Sequence, residues 1–166
     1  MDKTADIQAA SNPSHQFCTF RISGRLFGVD ILNVKEVNSV FTCTPIFHAP
    51  NSIEGYVNIR GQIHLVLNLS VLLGFDHKTD TGNKRLVIFK HFLGEPFGAM
   101  VDKIEDIVEV PADQIENQRR SKDGSTDKER RRLMSDLVQG ICKLKDELLV
   151  VLKAECLLSS LEKPSS

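Results

Sequence analysis

The feature that most constrains this chain is its rhythm. Short apolar runs follow one another, each closed by glycine, proline or polar residues, and no long amphipathic segment separates them. Gln16–Ile22, Arg25–Val29, Gly55–Ile59, Gln62–Leu67, Arg85–Lys90, Pro96–Val101, Asp102–Val110, Val138–Leu144 and Leu148–Leu152 all read as strands. A parallel α/β sheet needs crossovers of about a dozen residues or more between successive strands. Those crossovers are missing, so about nine or ten short strands predict an all-β barrel or sandwich.

Local chemistry places the turns. Ser23-Gly24 separates two strand-like runs and predicts a tight hairpin. Gly28, inside the second run, predicts a bulge or a close backbone contact. Asp30 is placed to cap a short helical turn over Ile31–Val34. Val34–Val40 alternates loosely, and Ile31, Val34 and Val37 share a side if that segment is helical; its state stays open. Pro45 and Pro50 break the next stretch. Arg60-Gly61 predicts a second tight hairpin, with Gly61 supplying positive φ. Asp76–Lys84 reads as a polar loop. Gln118–Leu137 reads as a charged insertion, with a capping box at Thr126 and Glu129. Ala154–Leu161 closes the chain as a short helix. This divides the chain into a flexible segment at 1–15 and a single domain at 16–162.

Composition narrows the function classes. With 21 Lys and Arg against 22 Asp and Glu, the formal charge is −1. A general nucleic-acid binder usually carries more excess positive charge. The most hydrophobic stretch, Leu65–Leu73, is too short and too interrupted to cross a bilayer. Met1–His15 lacks the basic-then-apolar layout of a secretory signal. A cytoplasmic protein without membrane insertion is expected. Cys18, Cys43, Cys142 and Cys156 are widely spaced, mostly in apolar runs, which predicts reduced structural thiols rather than disulfides or a zinc site.

Candidate chemistry is sparse. His15, His48, His64, His77 and His91 are scattered, with no pair at metal-ligand spacing. His64 reads either as solvent-facing or as a satisfied core side chain. Asp102, Glu105, Asp106 and Glu109 form an acidic run that a solvated strand edge explains more simply than acid/base catalysis. No nucleophile elbow and no phosphate-binding glycine loop is present. Arg130-Arg131-Arg132 sits among mixed charges, as in a solvated loop. No catalytic residue, metal site or cofactor site is expected, which leaves a protein that works through its surface. A small ligand-binding barrel or a nucleic-acid-binding barrel is the alternative. The second usually interleaves exposed aromatics with basic residues, whereas this chain has no Trp and one Tyr.

Several motifs, taken in order, resemble the CheW-like domain family. Phe17-x-x-Phe20-x-Ile22 and Phe27-Gly28-Val29-Asp30-Ile31-Leu32-x-Val34-Lys35-Glu36-Val37 resemble its first strands. Pro45, Pro50, Ile53 and Gly55-Tyr56-Val57-Asn58-Ile59-Arg60-Gly61-Gln62-Ile63 resemble its proline-bounded loop and Arg-Gly hairpin, followed by Leu67-Asn68-Leu69. Phe97-Gly98-x-x-Val101-Asp102-Lys103-Ile104 and Leu149–Leu152 resemble later strands. Ile59, Val66, Asn68 and Leu152-Lys153 depart from the usual residues, and the 118–137 insertion is unusually basic.

The resemblance implies two intertwined five-stranded SH3-like barrels around a shared core, with no catalysis and no cofactor. It implies an adaptor in bacterial chemotaxis, recruited to membrane-associated receptor arrays. One face is expected to hold the regulatory domain of a histidine kinase. A groove between the barrels is expected to hold the cytoplasmic tip of a chemoreceptor. Arg60 is the first candidate contact in that groove, with Glu36 and Val37 second. Arg60 also reads more plainly, as a solubilising turn residue or a partner for Glu36 or Glu54.

Overall fold

The computed structural model describes residues 13–75, 83–90, 95–117 and 136–161. Among these residues, eleven strands form two sheets. They are β1 (Ser14–Ile22), β2 (Arg25–Asp30), β3 (Val34–Asn38), β4 (Ile53–Ile59), β5 (Gln62–Asn68), β6 (Arg85–Phe89), β7 (Phe97–Val101), β8 (Lys103–Pro111), β9 (Ile115–Asn117), β10 (Val138–Lys143) and β11 (Leu148–Leu152). One helical turn, α1 (Leu69–Leu72), follows β5, and α2 (Ala154–Ser159) follows β11. The first sheet runs β8-β1-β2-β11-β10-β9 and the second β3-β6-β7-β5-β4. Chain order and sheet order are interleaved: the chain leaves the first sheet after β2, builds the second, and returns at β8.

The expected hairpins are present. Ile22 pairs with Arg25 across Ser23-Gly24, and Ile59 with Gln62 across Arg60-Gly61. Both central residues of each turn have positive φ, the pattern of a type I′ turn, whose twist matches that of antiparallel strands. Asp30 accepts a hydrogen bond from the Leu32 amide and caps the short 3₁₀ turn Ile31–Asn33. Val34–Asn38 is a strand, which settles the segment left open above. Gly28 marks a close contact rather than a bulge: a Cβ there would lie 3.1 Å from Leu149 Cδ1.

Three apolar clusters explain the continuous hydrophobic runs. Phe17, Leu26, Val110, Cys142, Leu149 and Val151 fill the interior of the first sheet. Val57, Val66, Leu86, Ile88 and Met100 fill the second. The largest cluster lies between them. It takes Phe20, Ile22, Phe27 and Val29 from the first sheet, and Leu67, Val87, Phe89, Phe97 and Val101 from the second. Along β6, Leu86 and Ile88 face their own barrel while Val87 and Phe89 face the shared core. A strand buried on both faces must be apolar at every position, so alternation disappears there. Phe89 and Phe97 stack with ring centroids 4.8 Å apart in this shared core. Truncating either ring should cost about 3–5 kcal/mol.

Three boundaries differ from the sequence reading. β1 begins at Ser14, inside the segment expected to be flexible, because β8 extends to Pro111 and gives Ser14 and His15 partners. The Ser14 hydroxyl also donates to Glu109. Leu137, assigned above to the charged insertion, is fully buried in the shared core. The short strand β9 was not foreseen; its three residues pair with β10 directly after a 3₁₀ turn. The expected capping box at Thr126 and Glu129, and most of the charged insertion, lie outside the described residues.

Candidate functional site

The second sheet closes where its edge strands meet. β3 and β4 are the two ends of the strand order, yet Arg60 Nη1 lies 3.6 Å from Glu36 Oε2. The β4–β5 turn therefore reaches across to β3, and the sheet curls into a barrel. Thr44 and Tyr56 help to close the same edge by exchanging backbone hydrogen bonds of 2.7 and 2.8 Å.

Arg60 occupies an unfavourable backbone position. Its φ is 53°, a region where glycine and asparagine are at home and a long side chain is strained. Gly61 relaxes only its own half of the turn; Asn58 Oδ1 accepts its amide at 2.9 Å. The Arg60 side chain is 82% exposed. An exposed pair at this distance contributes about 0–1 kcal/mol, too little to account for arginine at a strained position. The turn type imposes this backbone, as it does at Ser23 with a φ of 51°, and nothing in the turn itself requires arginine here.

Glu36 is better fixed. A bulge in β3 between Val34 and Glu36 sets Glu36 opposite Ile88 and Asn38 opposite Leu86. Those partners line the barrel interior, so Glu36 rises on the same side. Asn38 Nδ2 donates to Glu36 Oε1 at 3.0 Å and leaves Oε2 directed toward Arg60. Val37 pairs with Val87 on the other face of β3 and is 40% exposed. The structure thus brings Arg60 and Glu36 together and turns Val37 away from both. The Glu36 pairing foreseen as the plainer role of Arg60 is present, while Glu54 instead accepts a hydrogen bond from the buried Asn68.

Sequence reasoning missed the apolar surface beside this pair. Tyr56 faces Leu65 and Asn58 faces Ile63 across the hairpin. Along one face of β5, Leu67 is buried in the shared core, Leu65 packs at its margin and Ile63 is exposed. The apolar face of the hairpin thus emerges from the core and ends beside Arg60, with Tyr56 and Ile63 about half exposed. The signal was in the phase: Tyr56 and Val57 must point to opposite faces. Leu32, Val40 and Phe47 are also exposed, so most of the large exposed apolar side chains among the described residues fall between positions 32 and 63.

Other candidates resolve differently. His64 is buried inside the second barrel, not solvent-facing. Its Nδ1 lies 3.1 Å from the Gln62 carbonyl, while Nε2 is buried without a partner, so it is only half satisfied. The acidic run is not uniformly solvated: Glu105 pairs with Arg21 at 2.9 Å, and Asp102 pairs with Lys84. Burial raises the thiols of Cys18 and Cys142, and burial together with Glu54 lifts Cys43 to about 11. A protonated thiol is a poor nucleophile and a poor metal ligand. No helix among the described residues is long and apolar enough to cross a membrane.

Two barrels sharing a core, with an exposed charged turn beside an apolar hairpin face, define a double-barrel module. The family model of the CheW-like domain matches residues 16–162, and the chain belongs to that family. It is 27% identical over 157 residues to the chemotaxis protein CheW of Klebsiella aerogenes, covering 93% of this chain and 87% of that protein. It is 25% identical to the CheW of Treponema pallidum, at 93% and 88% coverage. The crystal structure of the scaffolding protein TtCheW from Thermoanaerobacter tengcongensis superposes with a TM-score of 0.72 and 26% identity, covering 86% of this chain and 91% of that one. The fold is the double SH3-like barrel, and the family is one of chemotaxis scaffolds.

Proposed function

We propose that this protein is a non-enzymatic adaptor that couples chemoreceptors to a chemotaxis histidine kinase. It would act in the cytoplasm at membrane-associated receptor arrays, and Arg60 is its receptor-contacting residue. The observation that carries the reading is the strained, solvent-directed Arg60, seated on an oriented Glu36 at the end of an exposed apolar hairpin face. A partner helix with an apolar stripe and a flanking carboxylate or free carbonyl suits that surface, because guanidinium presents a rigid fork of donors. Tyr56 and Ile63 supply the apolar contact, and Glu36 holds the guanidinium in place until the partner takes it. Val37 lies on the opposite face of β3 from Glu36, the face of the sheet that also carries Tyr56 and Ile63.

The test measures two quantities on one purified variant. Arg60→Ala should leave stability within about 0.5 kcal/mol, as for most surface substitutions. Receptor-dependent kinase activation should fall steeply while direct affinity for the kinase regulatory domain is largely kept. Normal activation by Arg60→Ala would refute the assignment. Equal loss of both activities would show that the two partner surfaces overlap.

A further inference from the structure

One residue stands alone between the two barrels on the return path of the chain. β7, in the second barrel, ends at Val101, and β8, in the first, begins at Lys103. Asp102 is the whole connection. Its backbone amide donates to the Arg21 carbonyl of β1 at 3.0 Å. Its carboxylate has one oxygen on each barrel. Oδ2 accepts the Ser23 amide of the β1–β2 turn at 2.8 Å, and Oδ1 takes the Lys84 ammonium at the foot of β6. Lys84 is 14% exposed and Asp102 31%, so the group is only partly wetted.

The shared core does not by itself make such a connection redundant. Apolar burial is non-directional; it resists separation of the barrels far more than a small rotation of one across the other. Hydrogen bonds have preferred directions, and those to charged groups are the stronger ones. The same turn is braced from a second side, since the Arg25 guanidinium lies 5.7 Å from the Phe75 ring centroid and Phe75 packs edge-on against Phe27.

We propose that Asp102 is an inter-barrel clasp, a positioning residue whose carboxylate sets the angle between the two barrels by holding Ser23 of one and Lys84 of the other. Any partner or pair of partners that touches both barrels then meets a fixed geometry.

The experiment uses the full chain. Residual dipolar couplings are measured for amides of β1, β2, β10 and β11, and separately for β5, β6 and β7. In the parent both sets should fit one alignment tensor. In Asp102→Ala the two sets should no longer fit one tensor in the parent orientation, and exchange of the Ser23 amide should rise about 10- to 100-fold, as expected for loss of a hydrogen bond to a charged group. Asp102→Asn keeps an acceptor for Ser23 and should lie between the two. A folded Asp102→Ala protein that keeps the parent tensor overturns the proposal. If Asp102→Ala does not fold, Lys84→Gln, which removes only the second-barrel arm, gives the same decision on the same tensors.

A further arm rests on the adaptor reading. Receptor-dependent kinase activation by Asp102→Asn should fall several-fold while kinase affinity alone changes by less than a factor of about two. A changed tensor with unchanged activation keeps the clasp and counts against the two-partner reading.

Discussion

The two hairpin turns have nearly the same backbone and opposite fates. Ser23-Gly24 and Arg60-Gly61 both hold two residues at positive φ, 51° and 79° in one, 53° and 86° in the other. The first turn is tied inward: its Ser23 amide is held by Asp102, and its flank lies against Phe75. The second points outward, its arginine largely in solvent and its apolar face unpaired. A type I′ turn is therefore only a platform. What surrounds it decides whether it is tied between the two barrels or left open to solvent.

The largest contrast between the two barrels should come from one glycine in each. Gly55, in β4, has a φ of 144°, and a Cβ there would lie 2.1 Å from the Thr44 carbonyl oxygen. That contact is with backbone and cannot yield cheaply, so Gly55→Ala should cost about 3 kcal/mol. Gly28, in β2, would meet the flexible tip of Leu149 at 3.1 Å, and Gly28→Ala should cost about 1 kcal/mol. Urea midpoints at constant m-value check both. Equal costs would show that the edge of the second barrel is no more tightly closed than the first.

Next in size is the interior of the second barrel. His64 Nε2 is buried without a partner, and an orphaned polar atom costs about 1–3 kcal/mol. His64→Leu, similar in volume, should stabilise the protein by about 1 kcal/mol in thermal or chemical unfolding. A loss of stability would mean that the imidazole is better satisfied than the geometry indicates.

A smaller gain is expected at Arg60. Arg60→Asn relieves strain at positive φ and should stabilise by about 0.5 kcal/mol, while receptor-dependent activation falls. Ser23→Asn relieves similar strain at an inward-tied turn, and it should raise stability without that functional loss. If both variants activate normally, the contrast between the turns has no functional content.

The smallest effect is one of pH. Arg21, beside the inward turn, donates to Glu147 at 2.7 and 2.9 Å and to Glu105 at 2.9 Å. Its hydrogen bonds hold both carboxylates below the usual range. Folded values below unfolded ones mean a contribution present above about pH 4.5 and lost as pH falls through the folded values. Both carboxylates are solvent-accessible, so the effect is small. The stability difference between the parent and Arg21→Gln should narrow on going from pH 7 to pH 3. A difference that does not change with pH would assign Arg21 to packing alone.

Strand positions other than β3 and β9, the two tight turns, the Asp30 cap and the closing helix follow from local chemistry, and the chain states them openly. Gly24, Gly61 and Asp30 act on neighbours a few residues away, and period and turn chemistry work over the same range. The pairing of Arg60 with Glu36 was legible only as one of several options, because the two positions are far apart in sequence and meet through barrel closure. Whether an apolar residue was core or surface was not legible at Tyr56 and Ile63, since a hairpin face is buried or bare according to how far it projects past its neighbours. Asp102 looked like one more solvated acid for the same reason: its two partners, Ser23 and Lys84, come from different barrels and become neighbours only when both are built. The sequence by itself determined which segments extend and where they turn. The tertiary structure alone decided which strained turn faces inward, which faces out and which carboxylate joins the barrels, because those contacts depend on how two closed sheets dock around a shared core.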